Sequence, residues 1–268
     1  MNTTSFAGEA PRARVMIATP CFGGLLTQGY VESVIKLMHH AGQEGFEVRL
    51  ALLGHDALIT RSRNTLVAAF LDLPEMTHLM FIDADIAFEP ESVSRLLDFD
   101  EDLVAGLYPL KVTDWAKSPM NVERHGEPPV LASLAYVGAP CEGEALERRG
   151  DFITGVYAGT GFMLIRRRVI ETLVQAHPEL RYTAAHVFPR PTRASQNQYA
   201  LFECMIEPET GAYLSEDYAF CRRWLEQDGQ IWLDTCSKLT HIGAHSFAGD
   251  ATLRFGGVAV GDNLAKAG

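Results

Sequence analysis

Short apolar segments alternate with amphipathic segments over the first 110 residues, and this alternation constrains the fold more than any other feature of the chain. The apolar segments predict strands at Val15–Thr19, Val48–Leu53, His78–Ile82 and Leu103–Leu107. Helical spacing between them predicts helices over Tyr30–His40 and Arg61–Leu71, and a shorter one opened by Pro90. Because alternating strands and helices build helix-covered parallel sheets, the sequence predicts a three-layer α/β fold with largely parallel strands.

The pattern is less regular beyond residue 110. Apolar runs predict further strands at Val130–Leu134, Phe162–Ile165, Leu201–Ile206 and Ile231–Leu233. Helices are predicted over Arg167–Ala176 and from the cap residue Ser215 to Gln227. The irregular stretches 111–150 and 177–211 are long for a compact domain, and loops of that length tend to be functional or mobile.

Composition excludes some classes of protein. The chain of 268 residues carries 34 acidic and 23 basic residues, a net charge of −11, so we expect no general nucleic-acid binding. Its five cysteines show no zinc-ligand spacing, which favours reduced thiols and a cytoplasmic protein. We expect neither a signal peptide nor a transmembrane segment, and peripheral contact with a membrane stays open.

Asp83-Ala84-Asp85, an Asp-x-Asp (DxD) motif, directly follows the apolar strand at 78–82. In an extended strand the two side chains would project to the same side. Two carboxylates beside a buried strand are costly unless a positive group neutralises them, and a divalent cation that holds a phosphate would do so. The alternative is that the aspartates cap the following turn, which is a common use of Asp.

Two further sites could supply acid–base or ligand chemistry. The pair Glu216 and Asp217 stands at a predicted helix start, where one carboxylate could act as a general base. Acidic residues in a first helical turn also simply complement the helix dipole. His241, after the last strand, is a candidate metal ligand or an ordinary polar residue.

Positively charged and amide side chains accompany these carboxylates. Arg61, Arg63 and Asn64 lie at a predicted helix start, and Lys111 follows Tyr108-Pro109. Arginine matches phosphate oxygens geometrically and a helix N-terminus attracts anions. Solvation at the surface is the alternative.

Taken together, these motifs occur in the order found in glycosyltransferases of the GT-A fold, which the chain resembles. The matching segments are Thr19-Pro20, Arg61-Ser62-Arg63-Asn64, Asp83-Ala84-Asp85, Tyr108-Pro109-Leu110-Lys111, Gly159-Thr160-Gly161-Phe162, Glu216-Asp217 and His241. The chain is most similar to small family-2-like enzymes, with some resemblance to Anp1-type mannosyltransferases. The resemblance implies one GT-A-type domain over 1–268 with a mixed, mostly parallel sheet. Within it, 15–110 would bind nucleotide, 111–245 would hold the acceptor and catalytic residues, and 246–268 would form a tail.

The resemblance also implies roles for single residues. A nucleotide-diphosphate sugar, with UDP or GDP, would contact Asp83, Lys111 and the residues Thr19, Pro20, Arg61, Arg63, Asn64 and Gly161. A divalent metal, Mn²⁺ or Mg²⁺, would be held by Asp83, Asp85 and His241. Asp217, with Glu216 beside it, would be the catalytic base.

The implied activity is metal-dependent hexosyl transfer, with inversion, to an acceptor hydroxyl of a glycan, a lipid-linked saccharide or a protein. Gly54-His55-Asp56 lacks the acidic residue with which many relatives recognise uracil, so the nucleotide stays open. A sugar-nucleotide nucleotidyltransferase is an alternative, although Gly23-Gly24 matches its phosphate loop poorly. A non-catalytic relative that binds sugar nucleotides is another.

Overall fold

The computed structural model of the chain describes residues 12–183 and 195–257. In chain order its strands are β1 (Arg14–Cys21), β2 (Glu47–Gly54), β3 (His78–Ile82), β4 (Ile86–Ala87), β5 (Leu103–Gly106), β6 (Tyr108–Thr113), β7 (Leu134–Val137), β8 (Ala139–Pro140), β9 (Arg148–Arg149), β10 (Phe152–Tyr157), β11 (Phe162–Arg166), β12 (Met205–Ile206), β13 (Tyr213–Leu214), β14 (Ile231–Asp234), β15 (Thr240–Ile242) and β16 (Ser246–Ala248). Its helices are α1 (Gln28–Glu44), α2 (Ile59–Leu71), α3 (Pro90–Phe99), α4 (Ser118–His125), α5 (Pro129–Ala132), α6 (Arg167–Ala176), α7 (Glu216–Leu225) and α8 (Thr252–Phe255).

A large central sheet has the strand order β2-β1-β3-β11-β5-β14-β10-β8, with β9 paired to β10. Strands β11 and β10 run antiparallel to their neighbours, and the other strands of this sheet share one direction. Side chains of β1 and β3 alternate between two apolar clusters, one on each face of the sheet. Helices α2, α6 and α7 cover one cluster, and α1 and α3 cover the other. The predicted three-layer α/β fold with a mixed, mostly parallel sheet is therefore confirmed.

Two predicted strands are wrong in the second half of the chain. Residues 130–132 belong to α5, because Pro129 occupies a first helical position, where its fixed φ suits a helix. The strand over Leu201–Ile206 is reduced to its last two residues. The Phe202 side chain instead enters the core, and the Phe202 N–H donates to Asn64 Oδ1 at 2.9 Å.

Several regions bear on the sequence predictions without settling them. Residues 184–194 of the long irregular stretch and 258–268 of the predicted tail lie outside the described residues. Among the described residues, no helix is both long enough and apolar enough to cross a bilayer. The division into nucleotide-binding and acceptor halves stays a prediction.

A small second sheet brings late residues to the end of β3. Strand β15 pairs antiparallel with β4, which follows Asp85 directly, and His241 is opposite Ile86 in that register. The Ile242 N–H donates to the Asp85 carbonyl at 2.8 Å. Strand β6 approaches the same region after β5 and carries Lys111. The fold thus collects residues from both halves of the chain at the carboxyl ends of β1 and β3, which is where open α/β sheets bind ligands.

Candidate functional site

The Asp83-Ala84-Asp85 segment forms a turn, because the Ile86 N–H donates to the Asp83 carbonyl at 3.0 Å. The expectation that both aspartates project to one side of an extended strand is therefore wrong, since period-two alternation ends where the chain turns. The two carboxylates have different partners. Asp83 bonds to Arg63, whereas Asp85 contacts Lys111 and His241.

Arg63 joins two carboxylates from opposite halves of the chain. Its Nη2 lies 3.0 Å from Asp83 Oδ1, and its Nε lies 3.4 Å from Glu216 Oε1. The Arg63 side chain is only 4% exposed, and its guanidinium stacks over the Phe81 ring at 5.2 Å. Burial alone would lower the pKa of Arg63, but the charges of Asp83 and Glu216 outweigh it and keep that pKa above its ordinary value. The guanidinium therefore stays charged although it is buried.

One nitrogen of this guanidinium has no hydrogen-bond partner in the part of the chain that the structure describes. Arg63 Nη1 is buried and forms no hydrogen bond within the described residues, and Arg63 lines the main cavity. Buried polar groups in folded proteins nearly always find a partner, so an orphaned donor needs an explanation. A bound anion or a water molecule would satisfy it.

Asp85 is held between a lysine and a histidine. Lys111 Nζ donates to Asp85 Oδ2, and His241 Nε2 lies 3.4 Å from Asp85 Oδ1. Burial would raise the pKa of Asp85, but hydrogen bonds from His241 and Lys111 outweigh it and lower that pKa below its usual value. The carboxylate is therefore ionised and available to a cation.

The orientation of His241 suits a ligand. Its Nδ1 lies 2.9 Å from the Pro109 carbonyl oxygen, which can only accept, so Nδ1 carries a proton in this contact. Nε2 then faces Asp85 Oδ1 at 3.4 Å: with a proton it donates to that carboxylate, and without one its lone pair could bind a cation together with Asp85. Metal-binding histidines are commonly fixed in this way by a carbonyl behind the ring.

These residues line one cavity of about 620 Å³. Of the predicted site residues, those that line it are Pro20, Arg63, Asp83, Asp85, Lys111, Glu216 and His241. The lining also includes apolar side chains that sequence reasoning missed, here called the apolar wall: Phe22, Leu25, Leu26, Ile59 and Ile242. Phe22 and Leu25 are more than 70% exposed, which is unusual for large apolar residues. The loop Cys21-Phe22-Gly23-Gly24 after the first strand was the one sequence signal for this wall.

Four predicted nucleotide-sugar residues are outside the lining of this cavity. The Thr19 hydroxyl is buried 2.5 Å from the Tyr30 hydroxyl. Arg61 forms a two-point ion pair with Asp56 at 2.8 and 2.6 Å, while Asn64 holds the backbone of the 200–203 loop. Their predicted contacts with nucleotide sugar stay predictions.

Gly161 is the fourth of these residues, and its backbone positions others. Its carbonyl accepts the Asp83 N–H at 3.0 Å, and its own N–H donates to the Tyr108 hydroxyl at 3.2 Å. A Cβ at this position would lie 2.6 Å from Tyr108 Cζ, so only glycine allows the close approach. Gly161 therefore contributes to the site by fixing the backbone position of Asp83.

Glu216 and Asp217 differ in their surroundings. The Glu216 side chain is 15% exposed and faces the cavity with Arg63 as its ion-pair partner. Asp217 accepts from the Tyr157 hydroxyl at 3.0 Å, from the Tyr218 N–H at 2.9 Å and from the Ser215 hydroxyl. Burial, and then the Asp217 charge, raise the pKa of Tyr157, so this hydroxyl remains a donor. Asp217 is thus occupied by protein donors while Glu216 is turned towards the cavity.

The donor set of the site can be tested against the metal that the resemblance implies. In the described part of the chain, no group of three or more His, Cys, Asp or Glu side chains could enclose a metal ion by itself. Asp83 faces Arg63, which leaves Asp85 and His241 as one oxygen and one nitrogen donor. Divalent cations at phosphate sites typically keep one or two protein ligands and take the rest from phosphates and water. Asp85 and His241 fit that pattern.

Comparison with known proteins gives little beyond this geometry. No protein-family model and no curated protein matches the chain. Among solved structures, A197 from STIV is 14% identical, with 86% of each chain covered and a TM-score of 0.47. A protein assigned as a glucose-1-phosphate thymidylyltransferase from Bacillus anthracis, solved with sucrose, is 13% identical over 63% of this chain and 78% of that one, with a TM-score of 0.32. The functional argument therefore depends on the residues of this chain.

Proposed function

We propose that this chain is a glycosyltransferase that binds a nucleotide-diphosphate sugar in the 620 Å³ cavity and transfers the sugar to an acceptor hydroxyl. The observation that carries the proposal is the arrangement of charge in that cavity. An Asp85–His241 pair with Lys111 and the buried, charged Arg63 line the same cavity as the apolar wall. A diphosphate needs the cationic groups, and a nucleoside or sugar ring fits the apolar surface.

Several residues of the chain would together stabilise the departing diphosphate. Glycosyl transfer leaves negative charge on the diphosphate, and fixed positive groups aimed at that charge lower the barrier. Lys111 Nζ and the charged Arg63 guanidinium would supply such groups. A divalent cation held by Asp85 and His241 would add Lewis-acid neutralisation of the same oxygens. Lys111 would then shift from Asp85 towards the phosphates, because the metal ion and the lysine ammonium group would compete for the same carboxylate.

We assign Glu216 as the general base that removes the proton of the acceptor hydroxyl. A general base must reach the proton that it removes, and Glu216 lines the cavity whereas Asp217 has its oxygens occupied. Asp217 would support the start of α7 through Tyr157 and Ser215. A base on the acceptor side corresponds to transfer with inversion, which remains part of the proposal.

Nucleotide-sugar binding tests this function directly. The purified chain is scanned by thermal shift with UDP-, GDP- and dTDP-sugars, with and without Mn²⁺. A ligand at a hundred times its Kd stabilises the native state by about 2.7 kcal/mol. For a chain of this size, each kcal/mol corresponds to roughly 2–4 °C in Tm.

Variants separate the metal from the nucleotide in this assay. Asp85→Ala should lose the Mn²⁺-dependent part of the shift, whereas Lys111→Met should keep Mn²⁺ binding because it removes a competing cation. Asp98→Ala, at an exposed ion pair on α3, is the matched control and should behave as the wild type. If no nucleotide sugar shifts Tm, or if Asp85→Ala responds to Mn²⁺ like the wild type, the proposed site is wrong.

A further inference from the structure

A second cavity of about 250 Å³ lies on the other side of the first turn of α2. Residues 59 and 63 of that turn line the 620 Å³ cavity, whereas Thr60, Arg61 and Asn64 line the smaller one. Its opposite wall includes Tyr182 and Glu203 from the segment that precedes α7. The two cavities are therefore neighbours that share one helical turn as a partition.

The wall that carries Glu203 is held firmly although it has no regular secondary structure. Phe202 is fully buried, and its N–H donates to Asn64 Oδ1 at 2.9 Å. Arg223, itself only 6% exposed, donates from Nη1 to the carbonyls of Leu201 and Glu203 at 2.9 and 3.0 Å. Because Asn64 uses its oxygen in this contact, its NH₂ group is the part available to the cavity. These contacts fix the Asn64 amide and the backbone that carries Glu203 before any ligand arrives, which lowers the cost of binding.

The position of Tyr182 is fixed in a similar way. The Tyr182 N–H donates to the Gln198 carbonyl at 3.1 Å, and the Ala200 N–H donates to the Leu180 carbonyl at 2.9 Å. The tyrosine is half-buried and, with Leu58, provides the apolar part of the lining. The cavity therefore combines an aromatic ring with a carboxylate acceptor and an amide donor.

The described charged residues around this cavity disfavour a phosphate. The Arg61 guanidinium is neutralised by its two-point contact with Asp56. Glu203 forms no ion pair among the described residues, so its carboxylate adds a negative charge. The Glu203 carboxylate would repel an anionic ligand. A neutral ligand with hydroxyl groups would donate to this carboxylate and accept from the Asn64 NH₂ group.

We propose that this second cavity binds one neutral hexopyranose ring of the acceptor, next to the ring whose hydroxyl reacts. The proposal rests on the proposed function, since it assigns the acceptor of that reaction. The volume is below the roughly 300–1,000 Å³ of sites for drug-sized ligands, which suits a single ring. Because the first turn of α2 separates the cavities, the acceptor is a saccharide of at least two residues that passes over this turn.

Saturation-transfer NMR with methyl α-D-mannopyranoside and methyl β-D-glucopyranoside tests the site without any reaction. The wild type should transfer saturation to the ring protons of at least one glycoside, and a saturating concentration of UDP with Mn²⁺ should leave that transfer in place. Glu203→Gln and Tyr182→Ala should weaken binding about tenfold or more, as expected for a lost charged hydrogen bond or a lost ring contact. Glu209→Gln removes an equally exposed carboxylate six residues further on and should bind like the wild type.

The outcomes distinguish this inference from the proposed function. Glycoside binding that UDP abolishes, or that survives both cavity variants, would overturn the second site. Absence of glycoside binding in a protein that still binds nucleotide sugars would overturn it too. Glycoside binding that depends on Glu203, in a protein that binds no nucleotide sugar, would support the saccharide site and refute the donor assignment instead. Circular dichroism and unfolding curves of both variants establish that they are folded.

Discussion

Replacement of Arg63 by methionine should destabilise the chain far more than loss of an ordinary ion pair. The variant keeps an unbranched apolar side chain at this buried position and removes the charge that contacts Asp83, Glu216 and the Phe81 ring. Removal of one partner from a buried ion pair costs about 3–5 kcal/mol, because the other charge is left uncompensated. Asp83 retains 28% exposure and Glu216 retains 15%, so water relieves part of this cost. We therefore expect about 3 kcal/mol, at the lower end of that range.

The assay is urea unfolding at pH 7, followed by circular dichroism, for Arg63→Met, Asp83→Asn and the double variant. The double variant should lose less free energy of unfolding than the sum of the single ones, with a coupling of about 1–2 kcal/mol. Arg49→Met is the matched control, because Arg49 pairs with Glu75 at 3.6 Å on the surface with 54% and 44% of the two side chains exposed. That variant should cost less than about 1 kcal/mol.

Two results would refute this reasoning. If Arg63→Met costs no more than Arg49→Met, the charge of Arg63 is not needed between the carboxylates. If the free energies of Arg63→Met and Asp83→Asn simply add, the 3.0 Å contact between them contributes nothing to stability.

The remaining predictions concern catalysis, pH and packing. Glu216→Gln should reduce transfer by about 10²–10⁴-fold without weakening donor binding, and Asp217→Asn should reduce it less; the opposite ranking in single-turnover assays would make Asp217 the base. The pKa of Asp85 is lowered on folding, so the extra stability of the wild type over Asp85→Asn should be full above pH 5 and should fall as the pH drops below about 4; a difference in unfolding free energy that grows on acidification would contradict this. Gly161→Ala should lower Tm by several degrees because its Cβ would lie 2.6 Å from a buried tyrosine ring, whereas Gly42→Ala, with open space around it, should be neutral or stabilising; equal scans would contradict the packing argument.

Four strands of the first half, β1, β2, β3 and β5, could be predicted because each contains its own signal, whereas β4 and β6 were not predicted. Val15–Ala18 and Leu79–Ile82 are buried on both faces, so their residues are apolar without interruption and mark the strand directly. The 201–206 segment carries a similar apolar composition but folds differently. Its conformation depends on Asn64, 138 residues away, and on an arginine of α7, and neither contact leaves a local pattern.

The site was predicted as a set of residues but not as a geometry. Seven of the predicted residues line the 620 Å³ cavity. Three lie at or just after the carboxyl ends of β1 and β3, which meet at one edge of the sheet, and α2, β6, α7 and β15 bring the other four there. The apolar wall and the occupied state of Asp217 depend on loop conformation and on tertiary hydrogen bonds. Spacing along the chain carries no information about either.

The separation of the two aspartates changes what the DxD motif can do here. If both carboxylates faced one cation, loss of either would weaken the same function. The turn at 83–86 instead directs Asp83 to Arg63 and, through that guanidinium, to Glu216, while Asp85 faces His241 and Lys111. Asp83 is therefore grouped with Glu216, and Asp85 with His241 and Lys111. Under the proposed function, the motif would connect the general base with the site of leaving-group departure. Arg63 would be the residue that couples a change at one of these places to the other.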